Sequence, residues 1–159
     1  MQTKTYLCPE ELKNIMLSEK RLQRYKDKLN LILLRTDEAK KWLGEKDLEE
    51  LIYNNKTKLA IYKAFQEIAE ASMDIIAMIC KDEKLVPKDD CTNINMLFER
   101  KILDKELRDV LKEFNGLRNV LVHRYNGTDD LRALRSIDSL LQYVEKFVEV
   151  VEKWINKKS

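Results

Sequence analysis

Residues 56–80 read KTKLAIYKAFQEIAEASMDIIAMIC, and the spacing of their apolar side chains decides the fold. Leu59, Tyr62, Phe65, Ala69, Met73, Ile76 and Cys80 recur at steps of three and four, the period of one helical face. The segment contains neither Gly nor Pro, so nothing interrupts it. A long central helix with one stripe in the core is predicted, and the flanking sequence has to cover that stripe.

Upstream, Leu22, Tyr25, Leu29, Ile32 and Leu33 repeat the same steps. The pattern runs from Ser18 through Ala39 and Trp42 to Gly44, a suitable C-terminal stop. Residues 1–17 are weakly patterned, although Pro9 followed by Glu10 and Glu11 suits a first helical turn. Residues 47–54 predict a turn or two of helix carrying Leu48, Leu51 and Ile52.

Downstream, residues 82–90 combine Pro87 with many charges and predict a loop. Thr92 or Asn93 is expected to cap a short helix containing Met96, Leu97 and Phe98. Asp104 is expected to cap the next helix, whose stripe is Leu107, Leu111, Phe114 and Leu121. Asn126-Gly127 then breaks the chain, and Thr128, Asp129 and Asp130 suit the start of one last helix. That helix carries Leu134, Ile137, Leu141, Val144, Val148, Val151 and Ile155.

Only 3 Gly and 2 Pro in 159 residues leave little turn chemistry for a many-stranded fold, and 36% charged with 44% apolar residues suits helices with one wet face. The expected fold is all-α: a single domain over residues 1–159, an up-and-down bundle of four or five main helices. The net charge of +2 neither requires nor excludes nucleic acid, so any basic footprint must be local. Cys8, Cys80 and Cys91 lack metal-ligand spacing, and Cys80 falls on an apolar stripe, as a buried reduced thiol would. With no signal-like N-terminus and no apolar run near the about 20 residues of a membrane span, a soluble, cytoplasmic protein without a membrane association is expected.

One stretch offers chemistry: Leu117-Arg118-Asn119-Val120-Leu121-Val122-His123-Arg124-Tyr125-Asn126-Gly127, with the only histidine of the chain. Arg118 shares the apolar stripe of its helix, so it must find a partner or open onto a cleft. At about 100° per residue Arg118 and His123 stand about 140° apart on one helix, whereas Asn119 and His123 share a face. Pairing Arg118 with His123 within one copy would need the long arginine to reach round or the helix to unwind before Asn126-Gly127; a second copy across a two-fold axis is another way to bring such groups into one cleft. Histidine can exchange a proton near neutral pH, and arginine can hold a phosphate and stabilise charge developing on it. RNA brings its own nucleophile, the 2′-hydroxyl. A lone histidine near a helix end is nevertheless more often structural than catalytic.

Arg118 directly followed by Asn119, then His123 and Tyr125, set near the end of a late helix, resembles the signature of HEPN-domain proteins, above all the HepT toxins of HEPN/MNT (type VII) toxin–antitoxin pairs. The likeness extends over most of the chain, including residues 69–75, which resemble the acidic-marked helix before the motif helix. It implies a metal-independent RNase with no cofactor, acting on RNA as a homodimer. By position it assigns the scissile phosphate to Arg118, general acid or base work to His123, and orientation of either to Asn119. It makes Tyr125 the residue to which a cognate MNT-type nucleotidyltransferase antitoxin, MntA-like, adds AMP. Glu70 and Asp74, four apart on one face, are supporting acids for Arg118 or His123, or else members of structural salt bridges. Arg124 stands where the family often has a small residue and reads as solvated, as does the basic tail of Lys153, Lys157 and Lys158. The alternative is a non-catalytic HEPN dimer that binds a nucleotidyltransferase or nucleotides. A third reading makes the last helix an oligomerisation surface and the motif a coincidence.

Overall fold

The computed structural model describes residues 16–123 and 129–159, so Cys8, the Pro9 turn, Arg124, Tyr125, Asn126, Gly127 and Thr128 lie outside the described residues. Among the described residues there are seven helices and no strand. They are α1 (Glu19–Leu43), α2 (Leu48–Leu51), α3 (Asn55–Asp82), α4 (Asp90–Glu99), α5 (Lys105–Val122), α6 (Asp130–Leu141) and α7 (Val144–Lys158). None is long and apolar enough to cross a membrane.

Most starts are set by side chains that take up an orphan backbone N–H. Ser18 accepts from Arg21, Asn54 from Thr57, Asp104 from Leu107 and Asp129 from Arg132. Each such cap stabilises its helix by about 1 kcal/mol. For α4 the cap is Asp89, which accepts from the Thr92 backbone, and not Thr92 or Asn93 as the sequence suggested. Asn93 is buried and brackets the preceding loop instead, accepting from the Lys88 N–H at 2.7 Å and donating to the Lys88 carbonyl at 3.2 Å. The loop therefore ends one residue earlier than expected, and Asp90 belongs to the helix.

The central helix α3 buries Ile61, Tyr62, Phe65, Ile68, Ala69, Met73, Ile75, Ile76 and Ile79, a wider face than its sequence stripe. Leu59 is an exception to that stripe: it is 52% exposed, while Lys58, Ile61 and Tyr62 around it are buried, so the packed side of the first turn is rotated away from it. Helix α1 packs antiparallel along α3, and Arg21–Asp82, Lys28–Asp74 and Arg35–Glu67 pair at regular intervals along the contact. Asp74 thus holds a structural salt bridge at 3.0 Å to Lys28, and Glu70 one turn earlier is exposed. Phe65 stacks on Phe114 at 5.2 Å between ring centroids, which ties α5 to the same core.

The final apolar run forms two helices, not one. The chain turns at Gln142 and Tyr143, and α7 restarts with Val144 buried. The three-four alternation continues across the turn, so periodicity alone did not reveal it. Lys58 is 6% exposed, and its Nζ donates to Asp130 at 2.9 Å while the Tyr62 hydroxyl donates to the same carboxylate at 2.6 Å. This buried trio fastens the start of α6 to the start of α3.

Cys80 is fully buried and its thiol donates to the Asn93 carbonyl at 3.6 Å. Burial pushes the thiol from its ordinary 9.0 up to about 11. The folded protein therefore holds this proton more tightly than the unfolded chain does. The resulting stabilisation is complete below pH 9.0 and is lost as the pH rises towards 11. Thermal melts are expected to show falling stability across that window, with a shallower fall in Cys80→Ala than in the wild type.

Candidate functional site

The polar end of α5 is built against the start of α4. The two helices run antiparallel, so Asp90, in the first turn of α4, meets the last turns of α5. Arg118 is four-fifths buried at this junction, its side chain 19% exposed. Its Nη2 donates to Asp90 Oδ2 at 3.2 Å, Asn115 Oδ1 at 3.0 Å and Asn119 Oδ1 at 3.3 Å. The sequence required a partner for an arginine on an apolar stripe, and Asp90 is that partner. All three contacts fall on one nitrogen. Nε and Nη1, with three N–H groups between them, have no acceptor among the described residues, and they offer a two-point fit to a phosphate or carboxylate.

Asn115 is buried, and its amide donates weakly to Cys91 Sγ at 3.8 Å. The guanidinium is therefore held from behind by a layer contributed by both helices. Beside it, the hydroxyl and backbone N–H of Thr92 hold the Asp89 carboxyl below its usual value. Asp89 is thus committed to capping, and the charge facing Arg118 is that of Asp90.

His123 is the C-cap of α5, with φ −98° and ψ 41°, and its backbone N–H donates to the Asn119 carbonyl. Its side chain is exposed, as is Asn119. The structure joins Arg118 to Asn119 by a hydrogen bond and puts Asn119 and His123 on one exposed face. It does not bring Glu70 or Asp74 to Arg118, whose partners come from α4 and from its own helix. Tyr125 lies outside the described residues. Among the described residues no group of three or more His, Cys, Asp or Glu side chains has the makings of a metal site.

Two contributors were missed from sequence. Asn115 precedes Arg118 by three residues, a spacing that puts both on one side of a helix, so it was findable. Asp90 approaches from another helix 28 residues away, and no local pattern marks it.

The same face continues as Gly116, Asn119, Val120 and His123, all exposed, with Val120 at 53% and Val122 at 51%. A Cβ added to Gly116 would meet nothing within 4 Å. A glycine inside a helix costs about 1 kcal/mol relative to alanine, and nothing among the described residues requires it.

The chain as a whole is similar to known proteins. The profile of the family described as Ribonuclease HepT-like matches residues 32–151. An Archaeoglobus fulgidus protein named "Putative RNase" is 39% identical over 113 residues, covering 69% of this chain and 86% of that one. The mRNA nuclease HepT of Shewanella oneidensis is 27% identical over 88 residues, covering 55% and 66%. Among solved structures, the tri-AMPylated Shewanella oneidensis HEPN toxin, in complex with MNT antitoxin, superposes with a TM-score of 0.75. It is 20% identical, covering 82% of this chain and 97% of that one, which speaks for the fold. The profile match takes in the whole of α5 with Arg118, Asn119 and His123, and the chain belongs to the HepT-like ribonuclease family of HEPN proteins.

Proposed function

We propose that this protein is the ribonuclease toxin of a HEPN/MNT toxin–antitoxin pair and that it cuts RNA at Arg118, Asn119 and His123. The observation that carries this reading is the state of Arg118: among the described residues it is fixed through one nitrogen and leaves two donor nitrogens for an oxyanion. Arg118 binds the scissile phosphate and stabilises the charge that develops as the 2′-hydroxyl attacks. His123 takes the proton from that hydroxyl or gives one to the leaving 5′-oxygen. Asn119 orients the guanidinium, to which it is hydrogen-bonded. The nucleophile and the leaving group both belong to RNA, so the chemistry is written without a metal or other cofactor. In the test, purified protein in EDTA should cleave single-stranded RNA, and the same sequence as DNA should survive.

The active form in this reading is a homodimer whose α5 helices line one cleft. The exposed face with Gly116 and Val120 supports it, because a helix backbone there is open to close approach. The angular separation of Arg118 and His123 supports it too, since one copy's arginine then works with the other's histidine. Mixing inactive Arg118→Ala and inactive His123→Ala proteins should restore activity. With free exchange half the dimers are mixed, each with one intact site of two, so about a quarter of wild-type activity is expected. No recovery after verified exchange would place both groups of a site in one copy.

The reading extends to regulation. The partner is a cognate MNT-type nucleotidyltransferase, which transfers AMP to Tyr125, two residues beyond His123. The added phosphate and nucleoside repel and obstruct RNA at the cleft.

A further inference from the structure

The end of the bundle remote from Arg118 carries a cavity of about 410 Å³ between the C-terminal ends of α4 and α7. Five cations line it (Arg100, Lys101, Lys153, Lys157 and Lys158) against one carboxylate, Glu83, a local surplus of four in a chain of net charge +2. Lys153 and Lys157 are exposed, as the sequence suggested, and Lys158 is partly covered where it reaches Glu83. Glu83 is already engaged: it accepts from Trp154 Nε1 at 2.7 Å and Lys158 Nζ at 3.2 Å, with Arg100 at 3.9 Å. Lys101, Lys153 and Lys157 have no ion pair with any described residue. Cations favour helix C-termini, which explains a positive charge at each end but not the convergence of five around one hollow.

Lys84 (φ 64°) and Lys101 (φ 62°) are the left-handed residues that close α3 and α4: Lys84 and Leu85 donate back to the Lys81 and Cys80 carbonyls, and Lys101 and Ile102 to those of Phe98 and Leu97, so helix termination accounts for both. One further feature bears on the kind of ligand. A second hollow adjoins the first, sharing Lys101, Ile102 and Val150 and adding the apolar Phe98 and Leu103 together with two carboxylates, Glu99 and Asp104, the latter already paired with Lys146 at 2.8 Å. Cations beside apolar surface match a nucleic acid strand, which presents phosphates beside flat bases; a simple inorganic anion would need the cations alone.

We propose that this basic end is a second RNA-binding site, which holds the phosphate backbone of the substrate strand away from the cleavage cleft. It lies at the opposite end of α4 from Asp90, about 15 Å away at 1.5 Å per residue. A strand of several nucleotides reaches both places, while a dinucleotide has its one phosphate in the cleft and none to spare. The proposal rests on the ribonuclease reading, and the test separates the two.

Binding of a fluorescent, uncleavable 2′-O-methyl RNA of about a dozen nucleotides is measured by anisotropy between about 50 and 200 mM salt. The triple variants Lys101→Glu/Lys153→Glu/Lys157→Glu and Lys101→Gln/Lys153→Gln/Lys157→Gln are compared with the wild type after melts confirm folding. Both should bind at least about tenfold more weakly at the lower salt, and the slope of log affinity on log salt should fall by about 2, three contacts at 0.7 each. Cleavage of a dinucleotide should be unchanged while cleavage of long RNA falls. Unchanged binding and slope in both variants overturn the second site, whatever the cleavage results. Equally lysine-dependent binding of free ATP, at RNA-like affinity, overturns it in favour of a nucleotide pocket. Wild-type protein that binds the probe with full lysine dependence but cuts nothing retains the second site and sinks the ribonuclease reading.

Discussion

His123→Ala protein is expected to cleave RNA about 10²- to 10⁴-fold more slowly than wild type, the usual contribution of one general acid or base. The side chain is exposed at the C-cap of α5, and the cap contact is made by its backbone N–H, which alanine retains. Stability should therefore change little while activity collapses, and comparing melts with initial cleavage rates separates the two. Arg118→Ala should cost at least about 10²-fold, as removal of a donor to a developing oxyanion does. It also leaves Asp90 without its cation, so some stability is lost with it. Arg118→Lys is informative for that reason: it keeps the charge beside Asp90 but cannot present two nitrogens to a phosphate. Its melting temperature should stay closer to wild type than that of Arg118→Ala, with activity still severely reduced.

The largest effect on stability is expected at Phe65. Its ring is fully buried in α3 and stacked on Phe114, one helical turn before Arg118. Phe65→Ala should lose about 3–5 kcal/mol through lost burial and the cavity left behind. Denaturant unfolding followed by circular dichroism measures this directly. Phe65→Leu, which refills much of the space, should lose distinctly less. Because Phe114 positions the turn from which Arg118 projects, Phe65→Ala should also lower cleavage under conditions where the protein remains folded. The effect on rate should be far smaller than that of His123→Ala.

The helical class and the positions of the long elements were legible because periodicity and capping agree. Ser18, Asp104 and Asp129 act as caps where short polar residues precede apolar stripes, and Gly44 ends α1 as its position suggested. Competition among neighbouring caps was not legible. Asp89, Thr92 and Asn93 can all cap, and the choice fell to Asp89 because Asn93 is needed inside to hold the Lys88 loop. The turn at Gln142 and Tyr143 was hidden because α6 and α7 keep the same apolar alternation on both sides of it.

At the site, the need for a partner to Arg118 could be read from its place on an apolar stripe. Which residue supplied it could not. Asp90 sits on another helix, and the acids nearer to expectation, Glu70 and Asp74, lie along α3, where Asp74 serves Lys28. The basic tail shows the same limit. Its charge was plain, but its convergence with Arg100 and Lys101 on one cavity depends on how α7 returns along the bundle.

The central claim is that His123 and Arg118 cut RNA through the substrate's own 2′-hydroxyl. The most direct measurement incubates wild-type and His123→Ala protein, in EDTA, with one RNA sequence and its 2′-O-methyl counterpart, and identifies the product ends by mass. Cleavage of the RNA by the wild type alone, leaving 2′,3′-cyclic phosphate ends and an intact 2′-O-methyl strand, is the predicted result. Equal cleavage by His123→Ala protein, or cleavage of the 2′-O-methyl strand, would contradict it.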